Sequence, residues 1–174
     1  MIKPLHVLDI FLQPGDYYFA DRDTRISTAV GSGVAITFWH PQLLMGGMCH
    51  CMLPERGSER RIGDWAVPDG LYADAAIALL LEEIGFVGTS HKEYRVKLLG
   101  GGSLFPGADT KLGIRNIQAA RRLAKKYGFN CVAEHLGGIG YCNVSFEVWS
   151  GEIWLKHCNA LPVAEYEYLG RSLT

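Results

Sequence analysis

A chain of 174 residues, 48% hydrophobic and 20% charged with a net charge of −1, holds enough apolar material for one well-formed core. The near-zero charge argues against a nucleic-acid or anionic-membrane partner, and no apolar run approaches the roughly 20 residues that span a bilayer. The opening Met1-Ile2-Lys3-Pro4-Leu5-His6 carries no apolar signal core, so a cytoplasmic chain without membrane insertion is expected.

In chain order, Pro14-Gly15-Asp16 reads as a turn before a short strand at Tyr17-Tyr18-Phe19. Asp21 to Arg25 is polar and reads as a loop, and Ile26 to Val30 leads into the permissive turn Gly31-Ser32-Gly33. Val34 to Trp39 is rich in β-branched and aromatic residues and predicts a strand. Gly46-Gly47 reads as a turn, with a strand from Met48 to Leu53 stopped by Pro54. Residues 55–68 read as a charged surface loop. A helix is expected from Asp69 or Gly70 to Ile84 with Gly85 as its stop. Lys92 to Leu99 alternates and predicts a half-buried strand.

A second helix is expected over residues 112–127, with Asp109 or Thr110 as N-cap and Gly128 as stop. Its apolar face would be Ile114, Ile117, Ala120 or Arg121, and Ala124. Asn130 to Glu134 predicts a strand. Val144 to Val148 and Glu152 to Lys156 predict a hairpin around Ser150-Gly151. Many strands with two inserted helices imply a mixed α/β (α+β) layered fold, with residues 1–174 forming one domain.

The five cysteines, Cys49, Cys51, Cys131, Cys142 and Cys158, match no disulfide scaffold and read as free thiols. Cys49-His50-Cys51 invites a metal reading. Zinc, however, needs converging ligands, and strand alternation turns His50 away from both thiols. No metal and no cofactor is expected. The glycine triplet at 100–102 and the run Gly137-Gly138-Ile139-Gly140 fit neither a dinucleotide fingerprint nor a P-loop and read as turns. The basic helix positions Arg121, Arg122, Lys125 and Lys126 read as a solvated face.

Alternation also places Met48, His50 and Met52 on one strand face and Cys49, Cys51 and Leu53 on the other. Seventeen residues before His50 lies the Gly31-Ser32-Gly33 turn. Such a turn can present position 33 and backbone N–H groups to a substrate carbonyl. Ser27 and Thr28 lie close enough in sequence to orient an imidazole.

The run Ile26 to Ala35, with Val30-Gly31-Ser32-Gly33-Val34-Ala35 at its core, is similar to the signature Leu-Gly-Ser-Cys-Val-Ala of the CheD family. Gly46-Gly47-Met48-Cys49-His50-Cys51-Met52-Leu53-Pro54 resembles that family's Gly-Gly-Met-x-His-x-Met-Leu-Pro. Lys97 to Gly102, Ile114-Arg115-Asn116 and Ala133 to Gly138 resemble further family segments. Together the likeness spans residues 13–157.

The resemblance implies a CheD-like layered fold and a protein-glutamine deamidase of bacterial chemotaxis. Such an enzyme converts glutamines on the helical cytoplasmic domain of chemoreceptors to glutamate. It further implies a cysteine, histidine and threonine acting together, which map onto Gly33, His50 and Ser27, with Ser32 and Thr28 as supporting or oxyanion candidates. A thiolate would attack the carboxamide carbon and the imidazole would protonate departing ammonia. Native or introduced, Gly33 supplies no nucleophile, so this copy is expected to be inactive. The alternative is a binding module that docks on receptor helices or on a CheC-type phosphatase. His135 and Tyr141 also depart from the family pattern, which commonly has aspartate and arginine there.

Overall fold

The computed structural model describes residues 3–56, 69–103 and 110–158. Among these, nine strands form two sheets. The strands are β1 (Leu8–Phe11), β2 (Tyr17–Ala20), β3 (Thr24–Val30), β4 (Val34–His40), β5 (Met45–Cys51), β6 (Arg95–Gly100), β7 (Asn130–Leu136), β8 (Tyr141–Glu147) and β9 (Glu152–Cys158). The helices are α1 (Ala73–Val87) and α2 (Lys111–Tyr127). A four-stranded sheet runs β1-β3-β8-β9 and a five-stranded sheet runs β2-β5-β4-β6-β7. Pairing is antiparallel except for β1 with β3 and β6 with β7. The α+β class and the layered arrangement expected from the sequence are present.

Two cores explain the layering. Val34, Ile36, Phe38, Cys49, Cys51, Val96 and Leu98 pack against Ala76, Ile77, Leu80 and Leu123, so one face of the five-stranded sheet is covered by the helices. Its other face contributes Ala35, Met48 and Leu99 to a second core with Ile26, Val30, Val144 and Phe146 of the four-stranded sheet. Helices, five strands and four strands thus form three layers. The middle strand β4 is buried at every position from Val34 to His40, as expected for a strand covered on both faces.

Several boundaries differ from the sequence expectation, each for a local reason. Gly46-Gly47 is not a turn. The chain reverses at residues 41–44, and both glycines lie inside β5. A Cβ on Gly47 would lie 2.7 Å from Leu80 Cδ2 and 2.8 Å from the Tyr18 carbonyl, and one on Gly46 would run into the Phe38 carbonyl. These glycines permit close packing rather than a bend.

α1 begins at Ala73 and passes through Gly85 to Val87, where Gly88 takes the left-handed cap at φ 79°. α2 buries Gly113, Asn116, Ala119, Ala120, Leu123 and Ala124, whereas Ile114 is exposed. Its inward face is therefore rotated from the expected one, because small residues let the helix sit close to the sheet. β1 was not anticipated. It is a short edge strand with mostly exposed side chains, so it lacks the alternation that marks a half-buried strand. β3 begins at Thr24, inside the expected polar loop. The expected loop at 55–68 lies almost wholly outside the described residues.

Candidate active site

The site sits between the two sheets. Alternation along β3 buries Thr24, Ile26, Thr28 and Val30 and turns Arg25 and Ser27 away from that core. Alternation along β5 sends His50 the same way as Met48, toward the four-stranded sheet. The two inward faces meet at Thr28 and His50. Thr28 Oγ1 lies 2.9 Å from His50 Nδ1 and also 2.9 Å from the carbonyl oxygen of Leu12.

A threonine hydroxyl has one proton to donate. A carbonyl can only accept, so the Thr28 proton goes to Leu12. The Thr28 oxygen must then accept from Nδ1–H of His50. This fixes the imidazole with its proton on Nδ1 and a bare lone pair on Nε2. His50 is 2% exposed, and among the described residues Nε2 has no hydrogen-bond partner.

Burial pushes the His50 pKa below its usual value, against a smaller upward pull from Asp16. The ring is therefore held neutral. A histidine whose folded pKa lies below the unfolded one leaves the unfolded chain holding more protons. Its stabilising contribution is complete above about pH 6.5 and is lost as pH falls toward the lowered folded value. Denaturant unfolding between about pH 5 and 7.5 is expected to show a steeper acid loss for the wild type than for His50→Gln, whose amide takes up no proton. Equal acid losses in both would assign the pH dependence elsewhere.

Position 33 faces that lone pair. A Cβ built on Gly33 would lie 3.0 Å from His50 Nε2, 2.8 Å from Met52 Sδ and 2.7 Å from the Cys51 carbonyl. The φ of Gly33 is not in the left-handed region, unlike that of its neighbours in space Gly100 and Gly101. The φ there does not itself require glycine, but the neighbours occupy the space that a side chain would fill and would have to shift to admit one. The turn is held from several sides. Gly101 N–H donates to the Gly33 carbonyl at 2.6 Å and Gly102 N–H to the Gly31 carbonyl at 2.8 Å. Asn116 of α2 donates through Nδ2 to the carbonyls of Ser32 and Met52 at 2.8 and 2.9 Å.

The structure thus brings Gly33, His50 and Thr28 together and leaves Ser27 out. The Ser27 hydroxyl lies 3.2 Å from that of Ser145, on the outer side of the four-stranded sheet. The hydroxyl in contact with the imidazole is that of Thr28, one residue past the Ser27 position that the family resemblance implies, because Thr24, Ile26, Thr28 and Val30 are the β3 positions that turn inward. Thr28 has both hydrogen-bonding roles filled and is not a free oxyanion donor. Ser32 contributes its carbonyl to the Asn116 clamp. Asn116 is the residue whose positioning role the sequence did not reveal. It is a polar residue on the buried face of α2, 2% exposed, and that mismatch is the signal that marks it.

The nearby thiols point elsewhere. Cys49 Sγ and Cys51 Sγ reach the carbonyls of Ile36 and Val34 at 3.8 and 3.0 Å on the helix-covered face. The hydrogen-bonded neighbour Cys51, then burial, raises the Cys49 pKa well above that of a free thiol. A protonated, buried thiol on the wrong face is no nucleophile.

Comparison with known proteins bears on what this arrangement serves. Residues 52–157 match the family model described as CheD chemotactic sensory transduction. The chain is 43% identical over 162 residues to a "Probable chemoreceptor glutamine deamidase CheD" of Pseudomonas fluorescens, covering 90% of this chain and 89% of that protein. It is 44% identical over 151 residues to a "Probable chemoreceptor glutamine deamidase CheD 1" of Chromobacterium violaceum, covering 84% and 76%. A protein of Leptospira interrogans with that same description is 37% identical over 166 residues, covering 90% and 96%.

Proposed function

The chain belongs to the CheD family, and we propose that it is a chemoreceptor-engaging member of these glutamine deamidases whose own turnover is silenced at position 33. The observation that carries this reading is the bare Nε2 of a buried, neutral His50 facing a glycine.

In amide hydrolysis through a thioester, the imidazole takes the thiol proton and the thiolate attacks the glutamine carboxamide carbon. The imidazole then gives that proton to departing ammonia, and water cleaves the thioester to leave glutamate. Thr28 supports this by holding the ring in the tautomer that accepts at Nε2. The Asn116 clamp supports it by fixing the turn whose backbone N–H groups would meet the oxyanion. With glycine at 33 the base has no thiol to deprotonate and no covalent step begins. What the scaffold retains is recognition, so the chain acts by occupying receptor helices, or a CheC-type phosphatase that uses the same region.

The test is to incubate a receptor cytoplasmic fragment with the unaltered chain and measure both capture and mass. Capture without a mass change is expected. A gain of roughly one dalton per modified glutamine, the difference between amide and acid, would overturn the silenced site. Absence of capture would sink the docking function.

A further inference from the structure

A second group of ligand-type side chains meets where the two sheets end. His135 lies near the end of β7, Cys142 near the start of β8, and His157 sits opposite Cys142 in the β8–β9 register. One ligand atom from each lies within 4.8 Å of the other two, and Cys142 Sγ is 3.4 Å from His157 Nδ1.

The orientations follow from the strands. Glu134 pairs with Arg121 on the helix side of β7. Alternation therefore turns His135 to the opposite side, toward the four-stranded sheet. Cys142 is 7% exposed and packs in the core between the sheets. Both histidines are exposed, which leaves a path for an ion to enter. Cys158, next to His157, points to the other face of β9, where Asn143 Nδ2 lies 3.6 Å from its sulfur.

We propose that His135, Cys142 and His157 bind one zinc ion, with water in the fourth position. The ion would tie β7 of the five-stranded sheet to β8 and β9 of the four-stranded sheet. Two imidazoles and a thiolate are a donor set that suits zinc and disfavours magnesium or calcium. With Zn–S at about 2.3 Å and Zn–N at about 2.0–2.1 Å, a tetrahedral site has an S···N edge of about 3.5 Å. The Cys142–His157 edge already has about that length. On binding, the Cys142 thiol gives its proton to solvent and the sulfur donates a lone pair to the metal. No other bond changes.

The experiment uses the full chain without an affinity tag, titrated with Co²⁺ as a spectroscopic stand-in for zinc. One equivalent is expected to give a thiolate-to-cobalt charge-transfer band and tetrahedral d–d bands, both removed by added Zn²⁺. Cys142→Ser should abolish the charge-transfer band, and Cys158→Ser should keep it. His135→Ala, a change at an exposed position that leaves the core intact, should weaken Co²⁺ binding by more than about tenfold. Zn²⁺ should raise the Tm of the wild type by more than it raises that of His135→Ala at the same concentration. The proposal is overturned by no band in the wild type, by a band that survives Cys142→Ser or is lost in Cys158→Ser, or by unchanged binding in folded His135→Ala.

Discussion

Replacing Gly33 by cysteine is expected to produce a chain that converts receptor glutamines to glutamate, while the unaltered chain stays at background. Loss of the nucleophile from such a catalytic unit costs on the order of 10⁶-fold in rate, so restoring it recovers several orders of magnitude. The direction is set by geometry, since a Cβ at 33 would already be 3.0 Å from His50 Nε2. The gain has a structural cost. That Cβ would lie only 2.7 Å from the backbone oxygen of Cys51, and a backbone atom yields less readily than the end of a side chain. Gly33→Cys should therefore be less stable than the wild type by about 1–3 kcal/mol, the usual range for overpacking. Mass spectrometry of the receptor fragment reads the activity, and denaturant unfolding reads the cost. A folded Gly33→Cys that leaves every glutamine intact would show that position 33 is not the only missing part. Adding His50→Ala to Gly33→Cys should remove the gain.

In the Gly33→Cys background, Thr28→Val is expected to lower kcat by on the order of 10²–10⁴-fold, the scale on which an imidazole in the wrong tautomer loses base catalysis. Valine keeps the shape of threonine and removes both hydrogen bonds. The Leu12 carbonyl and the His50 Nδ1–H lose the partner now 2.9 Å away, at about 1–3 kcal/mol of stability for each buried group left unpaired. Ser27→Ala supplies the contrast. It should change kcat by less than about threefold, as surface-type substitutions away from a network do. The signature of a positioning role is a fall in kcat with KM held, accompanied by a shifted pH–rate profile. If Ser27→Ala is the damaging change and Thr28→Val the mild one, the Thr28 assignment is wrong.

The contrast between Ser27 and Thr28 also marks what the sequence could and could not convey. Alternation along β5 separated His50 from Cys49 and Cys51, and the structure has His50 in the inter-sheet core and both thiols on the helix side. The same rule applied to β3 points to Thr28, whose neighbours Ile26 and Val30 are apolar and inward. The family resemblance maps the hydroxyl onto Ser27 instead. Strand parity is the stronger constraint because a one-residue slip reverses every side chain.

Gly46-Gly47 misled for a different reason. A glycine pair has the same composition whether it bends the chain or admits a neighbour, and only the packing of Leu80 and Tyr18 distinguishes the two. His135, Cys142 and His157 lay beyond spacing rules altogether. Those rules search within a turn or a helix, whereas these residues are joined by sheet register and by the docking of two layers.

The Thr28–His50 contact has one more consequence, for how such a site ages. Both residues belong to the interior that joins the sheets, and each satisfies a polar group there that water cannot reach. A lineage that stops turning over substrate is still selected to fold, and folding alone penalises the loss of either partner. A solvent-facing base would drift once its nucleophile was gone. The architecture around this histidine therefore holds it in place whatever residue stands at position 33.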